Sequence, residues 1–175
     1  MRGGGGGTGG RQGGARPCVG PRNGAIRAGG GGEVDGSIDR RFVKLAGGTD
    51  EKIVSIPTAG ARYGSDDGWT EIEELKKAGV EQLEVLHTRS RAVADLAAFA
   101  APLKEATGVW FSGGRQYRLV DVYLRTETHR ELQAVLERGG LVGGNSAGAS
   151  ALASSLVRCA PDTAPVTAPH QDVRL

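Results

Sequence analysis

The chain has 175 residues, of which 30 are glycine, with 22 Lys and Arg against 20 Asp and Glu and a formal net charge of +2. This length allows one domain with a substantial core. Acids and bases are interspersed, which excludes the basic surface of a nucleic-acid-binding protein, and no stretch is typical of a membrane span or a secretory signal. We therefore expect a soluble, cytoplasmic protein with neither nucleic acid nor membrane as a partner.

Residues 1–23 are rich in Gly, Arg and Pro and almost devoid of large apolar side chains. Such a segment cannot bury enough surface to offset the entropy of ordering, so we expect it to be disordered. Weak RNA binding by this segment is a minor alternative, because the aromatic side chains that stack on bases are missing. Cys18 and Cys159 have no metal-ligand spacing, which indicates free thiols and no zinc site.

From residue 24 a regular alternation of strands and helices begins. Strands are predicted, in chain order, at "AIRAGGGG", "KIVSIPTAG", "EQLEVLHT", "GVWFSGG" and "LVGG". The helices between and after them are "SIDRRFVKLAGG", "TEIEELKKAG", "RAVADLAAFAAPL", "RQYRLVDVYL" with "THRELQAVLERGG", and "AGASALASSLV". This alternation predicts an α/β domain over residues 24–158, a three-layer α/β/α sandwich with a mainly parallel sheet.

Two local features follow from spacing along the helices. Ile38, Phe42 and Leu45 fall on one face of the first helix, which we expect to be buried. Thr128 and Glu131 fit a capping box at the start of the helix that precedes the last strand.

Three loops at the carboxyl ends of predicted strands are expected to carry the binding or catalytic residues of such a sheet. They are Gly60–Asp67, Ser112–Gln116 and Gly143–Gly148. Ligands of open parallel sheets bind outside the carboxyl ends of the strands, so these loops are predicted to converge on one crevice.

The last of these loops reads "GGNSAG" and centres on Ser146, between a strand and a helix. That is the layout of a nucleophile elbow, which needs small residues two positions either side of the nucleophile. The Ala147 N–H at the helix start is suited to hold an oxyanion, and the Gly113-Gly114 pair is placed to supply a second donor. In a Gly-rich chain the same pentapeptide also arises by chance, and Ser146 would then be only an N-cap.

The motifs "RFVKLAGG", "KIVSIPTAG", "GVWFSGGRQYRLV" and "GGNSAGAS" occur in this order. With them the chain, from about Gly24 to Arg158, resembles the serine-peptidase family of cyanophycinase and aspartyl dipeptidase (dipeptidase E), and most of all its cyanophycinase-like members. The resemblance implies a fold similar to class I glutamine amidotransferases and flavodoxin-like proteins. It also implies an exopeptidase or hydrolase that cleaves peptide or isopeptide bonds next to aspartyl residues, with a cyanophycin-like or aspartyl peptide as substrate and no cofactor.

The resemblance carries over residue by residue at four positions. It implies Ser146 as the nucleophile, the backbone N–H groups of Ala147 and Gly114 as oxyanion donors, and Gln116 as a residue beside the bound substrate. Without it, Gln116 would be interpreted as a helix-start residue that bonds the local backbone. Asn145 stands where the family often has Thr.

A serine nucleophile needs a base, normally a histidine oriented by an acid. In the family that histidine lies in an Asp-x-His segment downstream of the elbow, which this chain lacks. His87 ends a strand, where it is either a substrate contact or a polar cap, and His129 is expected on the solvated surface. His170 resembles a residue before the family's catalytic histidine, and Asp172 is a weak candidate for a displaced acid. The general base stays unassigned.

The pattern of strands and helices stops after Val157, and residues 159–175 are predicted to be an irregular tail. The domain therefore looks truncated or frame-shifted at its C-terminus. Three interpretations remain: a serine peptidase, a peptide-binding scaffold without a base, and an esterase of the α/β-hydrolase class, which the Gly-Gly-Arg-Gln loop fits poorly. We expect poor activity and poor stability, and an exposed sheet edge that favours a homodimer.

Overall fold

A computed structural model describes residues 23–30, 36–60 and 70–153 of the chain. The predicted disordered segment (apart from Asn23), the tail, both cysteines and His170 lie outside these residues. Among the helices of the described ranges, none is long and apolar enough to cross a membrane.

Five strands are present where the sequence predicts them. They are β1 (Ala25–Gly29), β2 (Lys52–Ile56), β3 (Gln82–Val85), β4 (Gly108–Phe111) and β5 (Leu141–Asn145). They form one sheet in the order β1-β5-β4-β2-β3, and every neighbouring pair is parallel. This confirms the predicted α/β class and brings the carboxyl ends of all five strands to one edge.

Helices cover both faces of this sheet. They are α1 (Ser37–Ala46), α2 (Thr70–Lys77), α3 (Arg91–Ala94), α4 (Ala97–Ala100), α5 (Gln116–Tyr123), α6 (Glu127–Glu137) and α7 (Ala147–Ala151), with a 3-10 turn at Ala101–Lys104. One apolar cluster joins α1 and α2 to the sheet, and a second joins the later helices to the opposite face. The three layers are those the sequence predicts.

The buried face of α1 differs from the predicted one. Phe42, Val43 and Ala46 are buried, whereas Leu45 is 47% exposed, so the prediction for Leu45 is wrong. The reason is the position of Trp110, whose ring meets Phe42 edge-on with centroids 4.9 Å apart. With Phe42 packed against Trp110, Val43 and Ala46 face the sheet, and Leu45 lies on the side of the helix that faces solvent.

The predicted capping box at Thr128 and Glu131 is also wrong. The N-cap of α6 is Thr126, whose Oγ1 accepts a hydrogen bond from the His129 N–H at 3.4 Å. Thr128, the second residue of the helix, is buried, and its hydroxyl donates to the Ala94 carbonyl at 2.7 Å. The helix begins early because Arg125, with φ 60°, ends the preceding turn.

Candidate functional site

Ser146 occupies a strained turn between β5 and α7. Its φ and ψ are 49° and −114°, a conformation that residues with a side chain rarely adopt. Strain of this kind persists only where the surrounding structure fixes it. Here β5 is paired on both sides, and the Ser146 N–H donates to the Gly29 carbonyl at 3.1 Å. The exposed Ser146 thus sits in the strand–turn–helix arrangement of a nucleophile elbow.

The glycines two positions before and after Ser146 are required by contact with β4. A Cβ on Gly148 would lie 2.3 Å from the carbonyl oxygen of Phe111. A Cβ on Gly144 would lie 2.9 Å from the same carbonyl oxygen. Both distances are far below van der Waals contact and involve backbone atoms, which cannot rotate away. The turn is therefore closed so tightly that only glycine fits on either side of the serine.

The loop after β4 lies directly against this turn. A Cβ on Gly113 would lie 3.4 Å from Cβ of Ser146 and 3.6 Å from both amide atoms of the Asn145 side chain. Gly114 has φ 136°, which again favours glycine. Within the described ranges, no backbone carbonyl accepts a hydrogen bond from the N–H of Gly113 or Gly114. Gln116, the first residue of α5, is partly buried and follows this loop.

The chain after β2 holds the same loop from the other side. The carbonyl of Ala59 accepts hydrogen bonds from the Arg115 N–H at 2.9 Å and from Nη1 of Arg118 at 3.2 Å. A Cβ on Gly60 would lie 2.9 Å from the Gly113 carbonyl oxygen. The described parts of the three loops thus meet at one edge of the sheet, and most of the first loop, residues 61–67, lies outside them.

His87 follows β3 and takes part in a short chain of polar side chains. Its Nδ1 is 2.8 Å from Oγ1 of Thr58, which in turn is 2.6 Å from the hydroxyl of Tyr123. The sheet order places β3 three strands from β5, and strand spacing of about 4.8 Å then separates His87 from Ser146 by roughly 14 Å. That separation puts Ser146 beyond hydrogen-bonding reach of His87.

His129, expected on the surface, is buried instead. Its Nδ1 accepts a hydrogen bond from the Arg125 N–H at 3.0 Å, so this nitrogen carries no proton in that arrangement. The ring is buried because it packs into the turn between α5 and α6, where it accepts the hydrogen bond of the Arg125 N–H. Arg125 itself has a left-handed backbone conformation. Neither described histidine is assigned as the base, and the third, His170, lies outside the described residues.

Burial raises the pKa of Tyr123 to about 12, although hydrogen bonds from Thr58 and the Thr88 backbone oppose that rise. A pKa raised by folding stabilises the protein below the ordinary value of 10.0, and this stability is lost as pH rises towards 12. At about 1.4 kcal/mol per pKa unit, we expect the free energy of unfolding to fall by about 2–3 kcal/mol over that range. Urea denaturation of the wild type and of Tyr123→Phe at several alkaline pH values measures this fall in the free energy of unfolding. A difference between the two proteins that stays constant with pH would contradict the assignment.

The fold and the elbow together define an α/β/α protein with an exposed serine at the carboxyl edge of a parallel sheet. The model of peptidase family S51 matches residues 26–173, and the chain belongs to this family. This confirms the resemblance seen in the sequence motifs. A comparison with curated protein sequences gave no match.

Two solved structures are similar to the chain. A peptidase from an acI-B1 Actinobacterium superposes with a TM-score of 0.60 at 26% identity, covering 77% of this chain and 59% of that one. A putative peptidase E protein from Listeria monocytogenes EGD-e has a TM-score of 0.51 at 20% identity, covering 76% of this chain and 63% of that one, and shows the fold alone. The match thus extends over less than two thirds of the length of either structure.

Proposed function

We propose that the chain is a serine-type peptidase of the cyanophycinase type, in which Ser146 attacks the carbonyl of a peptide or isopeptide bond next to an aspartyl residue. One observation carries the proposal: an exposed serine held at φ 49° between two glycines that tolerate no side chain. Strain at a single polar residue is characteristic of functional sites. Membership of family S51 supports a serine peptidase in general, and the aspartyl preference rests on the sequence resemblance.

In this proposal Oγ of Ser146 attacks the carbonyl, the scissile C–N bond breaks, the amine leaves with a proton, and water then hydrolyses the acyl-enzyme ester to release the acid and restore the hydroxyl. The N–H groups of Ala147 and Gly114 stabilise the oxyanion of the tetrahedral intermediate, and the position of Gly113 against Ser146 supports a donor from that loop. Gln116 orients the substrate at the start of α5. The serine proton passes to a base that we assign to neither described histidine, and the proposed reaction uses no cofactor.

The second candidate is a protein of the same scaffold that binds aspartyl peptides without cleaving them. The distance of roughly 14 Å between His87 and Ser146 favours it, because no described histidine then completes a triad. A cytoplasmic location, a homodimer, and the exclusion of nucleic acid and membrane as partners remain predictions from the sequence.

Hydrolysis of L-aspartyl-p-nitroanilide and of β-aspartyl-arginine separates the two candidates. We expect slow product release by the wild type and by Ser150→Ala, which removes an exposed hydroxyl one turn along from Ser146 together with its hydrogen bond to the Ser146 carbonyl. Ser146→Ala should show no detectable release, because loss of the nucleophile costs up to about a million-fold in rate in a complete triad. Saturable binding of the dipeptide by the wild type without product would favour the binding protein, and equal release by Ser146→Ala would exclude Ser146 as the nucleophile.

A further inference from the structure

The chain after β2 makes a tight turn next to the loop that carries the second proposed oxyanion donor. The Gly60 N–H donates to the Pro57 carbonyl at 2.9 Å, which closes a β-turn over residues 57–60. Thr58 and Ala59 are the two central residues of this turn, and both are buried. Because β2 and β4 are neighbours in the sheet, the turn at the end of β2 lies beside the loop that follows β4.

The peptide group between Ala59 and Gly60 supports Gly114 directly. A Cβ on Gly114 would overlap the Ala59 carbonyl group and lie 2.7 Å from the Gly60 nitrogen. The same carbonyl oxygen accepts the hydrogen bonds of the Arg115 N–H and of Nη1 of Arg118. Since these backbone atoms are in close contact, the position of the 57–60 turn determines the position of the Gly114 N–H.

The side chain of Thr58 joins this turn to two other elements. Its Oγ1 is 2.6 Å from the hydroxyl of Tyr123, the last residue of α5, and 2.8 Å from Nδ1 of His87, which follows β3. A hydroxyl both donates and accepts hydrogen bonds, so the one oxygen of Thr58 serves both partners. Thr58 and Tyr123 are each 1% exposed, and bulk water therefore does not compete for the bond between them.

Helix α5 is consequently bound to the 57–60 turn near both of its ends. Arg115, the residue before the helix, donates to the Ala59 carbonyl, and Tyr123, at the other end, is bonded to Thr58. Gly113 and Gly114 immediately precede this bound helix. A shift of α5 relative to β2 would break the bonds at both ends, so the hydroxyl of Thr58 restrains the loop that leads into the helix.

We propose that Thr58 is a positioning residue for the reaction at Ser146: its hydroxyl fixes the 57–60 turn to Tyr123 and His87, and the turn holds the Gly114 N–H in place as an oxyanion donor. The inference rests on the proposed function, because it takes Gly114 to be the second donor. Thr58 acts through the turn and not on the substrate. A β-turn accepts many side chains at this position, and the hydroxyl is what makes the two bonds.

Amide hydrogen exchange of the full chain, followed by NMR, tests what Thr58 holds. Thr58→Val keeps the shape of the side chain without the hydroxyl, and we expect its Arg115 N–H to exchange about tenfold faster, because partners left unsatisfied loosen the turn locally. Thr58→Ser keeps the hydroxyl and should restore the wild-type rate. The slowest amides of β4 report global unfolding and serve as the reference for every variant.

Thr128→Val is the matched control. It removes another buried threonine hydroxyl, whose hydrogen bond to the Ala94 carbonyl joins α6 to α3. This control should leave the exchange of the Arg115 N–H unchanged relative to β4.

Kinetics with L-aspartyl-p-nitroanilide add a readout that a purely structural role would not change. Thr58→Val should lower kcat about tenfold or more with KM unchanged, since an oxyanion donor acts in the transition state, and Thr58→Ser should restore kcat. Tyr123→Phe removes the same bond from its other partner and serves if Thr58→Val fails to fold. The double variant should be no slower than the slower single variant, because both changes act on one bond.

The role of Thr58 would be overturned if Thr58→Val and Thr128→Val changed the exchange of Arg115 equally relative to β4, or if Thr58→Ser behaved like the valine variant. A higher KM with unchanged kcat in Thr58→Val would also overturn it, because the hydroxyl would then act on substrate binding. Hydrogen exchange requires no turnover. A wild type that cleaves nothing would therefore refute the proposed function, while the exchange rates would still decide whether Thr58 holds the loop.

Discussion

Gly148→Ala is expected to destabilise the protein by about 3 kcal/mol or more, at the upper end of what overpacking costs. The new methyl group would lie 2.3 Å from the carbonyl oxygen of Phe111 and 2.7 Å from its carbonyl carbon. Relief would require β4 to move, and β4 is held by β2 on one side and β5 on the other. Urea denaturation followed by tryptophan fluorescence measures the change.

Gly30→Ala is the matched control for that substitution. Gly30 follows β1, and no described atom lies within 4 Å of the Cβ position there. Surface changes of this kind usually alter stability by no more than about 0.5 kcal/mol. Similar free energies of unfolding for the two variants would show that the elbow does not close on β4 as described.

Ser146→Gly is expected to be more stable than both the wild type and Ser146→Ala. At φ 49° and ψ −114° any side chain is strained, at a cost of about 1–3 kcal/mol, and glycine removes that cost. Glycine also gains unfolded-state entropy worth about 0.4–1 kcal/mol, so the net increase in the free energy of unfolding should be about 1–2 kcal/mol.

The alanine variant keeps the strain and loses only the hydroxyl, so its stability should match the wild type. Thermal and urea unfolding of the three proteins under the same conditions make the comparison. Because both variants lack the hydroxyl, a higher stability of Ser146→Gly than of Ser146→Ala reports the backbone strain at this position. If glycine at this position lowered stability, Ser146 would not be strained, and the structural argument for a functional serine would fail.

The strands and the elbow could be predicted because each depends on local sequence. The buried parallel strand "KIVSI" is rich in β-branched apolar residues, and the glycines two positions either side of Ser146 belong to a short motif that marks the close approach of such a turn to the neighbouring strand. The long helix predicted at "RAVADLAAFAAPL" is instead divided, because Leu96 takes an extended conformation between α3 and α4. Its composition favours a helix and carries no sign of the break.

Features that depend on which elements become neighbours could not be predicted in this way. Thr58 is 29 residues before His87 and 65 residues before Tyr123 in the sequence. The three side chains meet because β2 and β3 are adjacent in the sheet and α5 lies near the ends of these strands. The burial of His129 depends on the turn at Arg125, which no motif in the sequence marks.

Covalent labelling with a fluorophosphonate probe, with the modified residue identified by peptide mass spectrometry, tests the central claim most directly. We expect a single adduct on Ser146 in the wild type and in Ser150→Ala, and none in Ser146→Ala. An adduct that persists in Ser146→Ala, or a folded wild-type protein that takes up no probe, would contradict the assignment of Ser146 as an activated nucleophile.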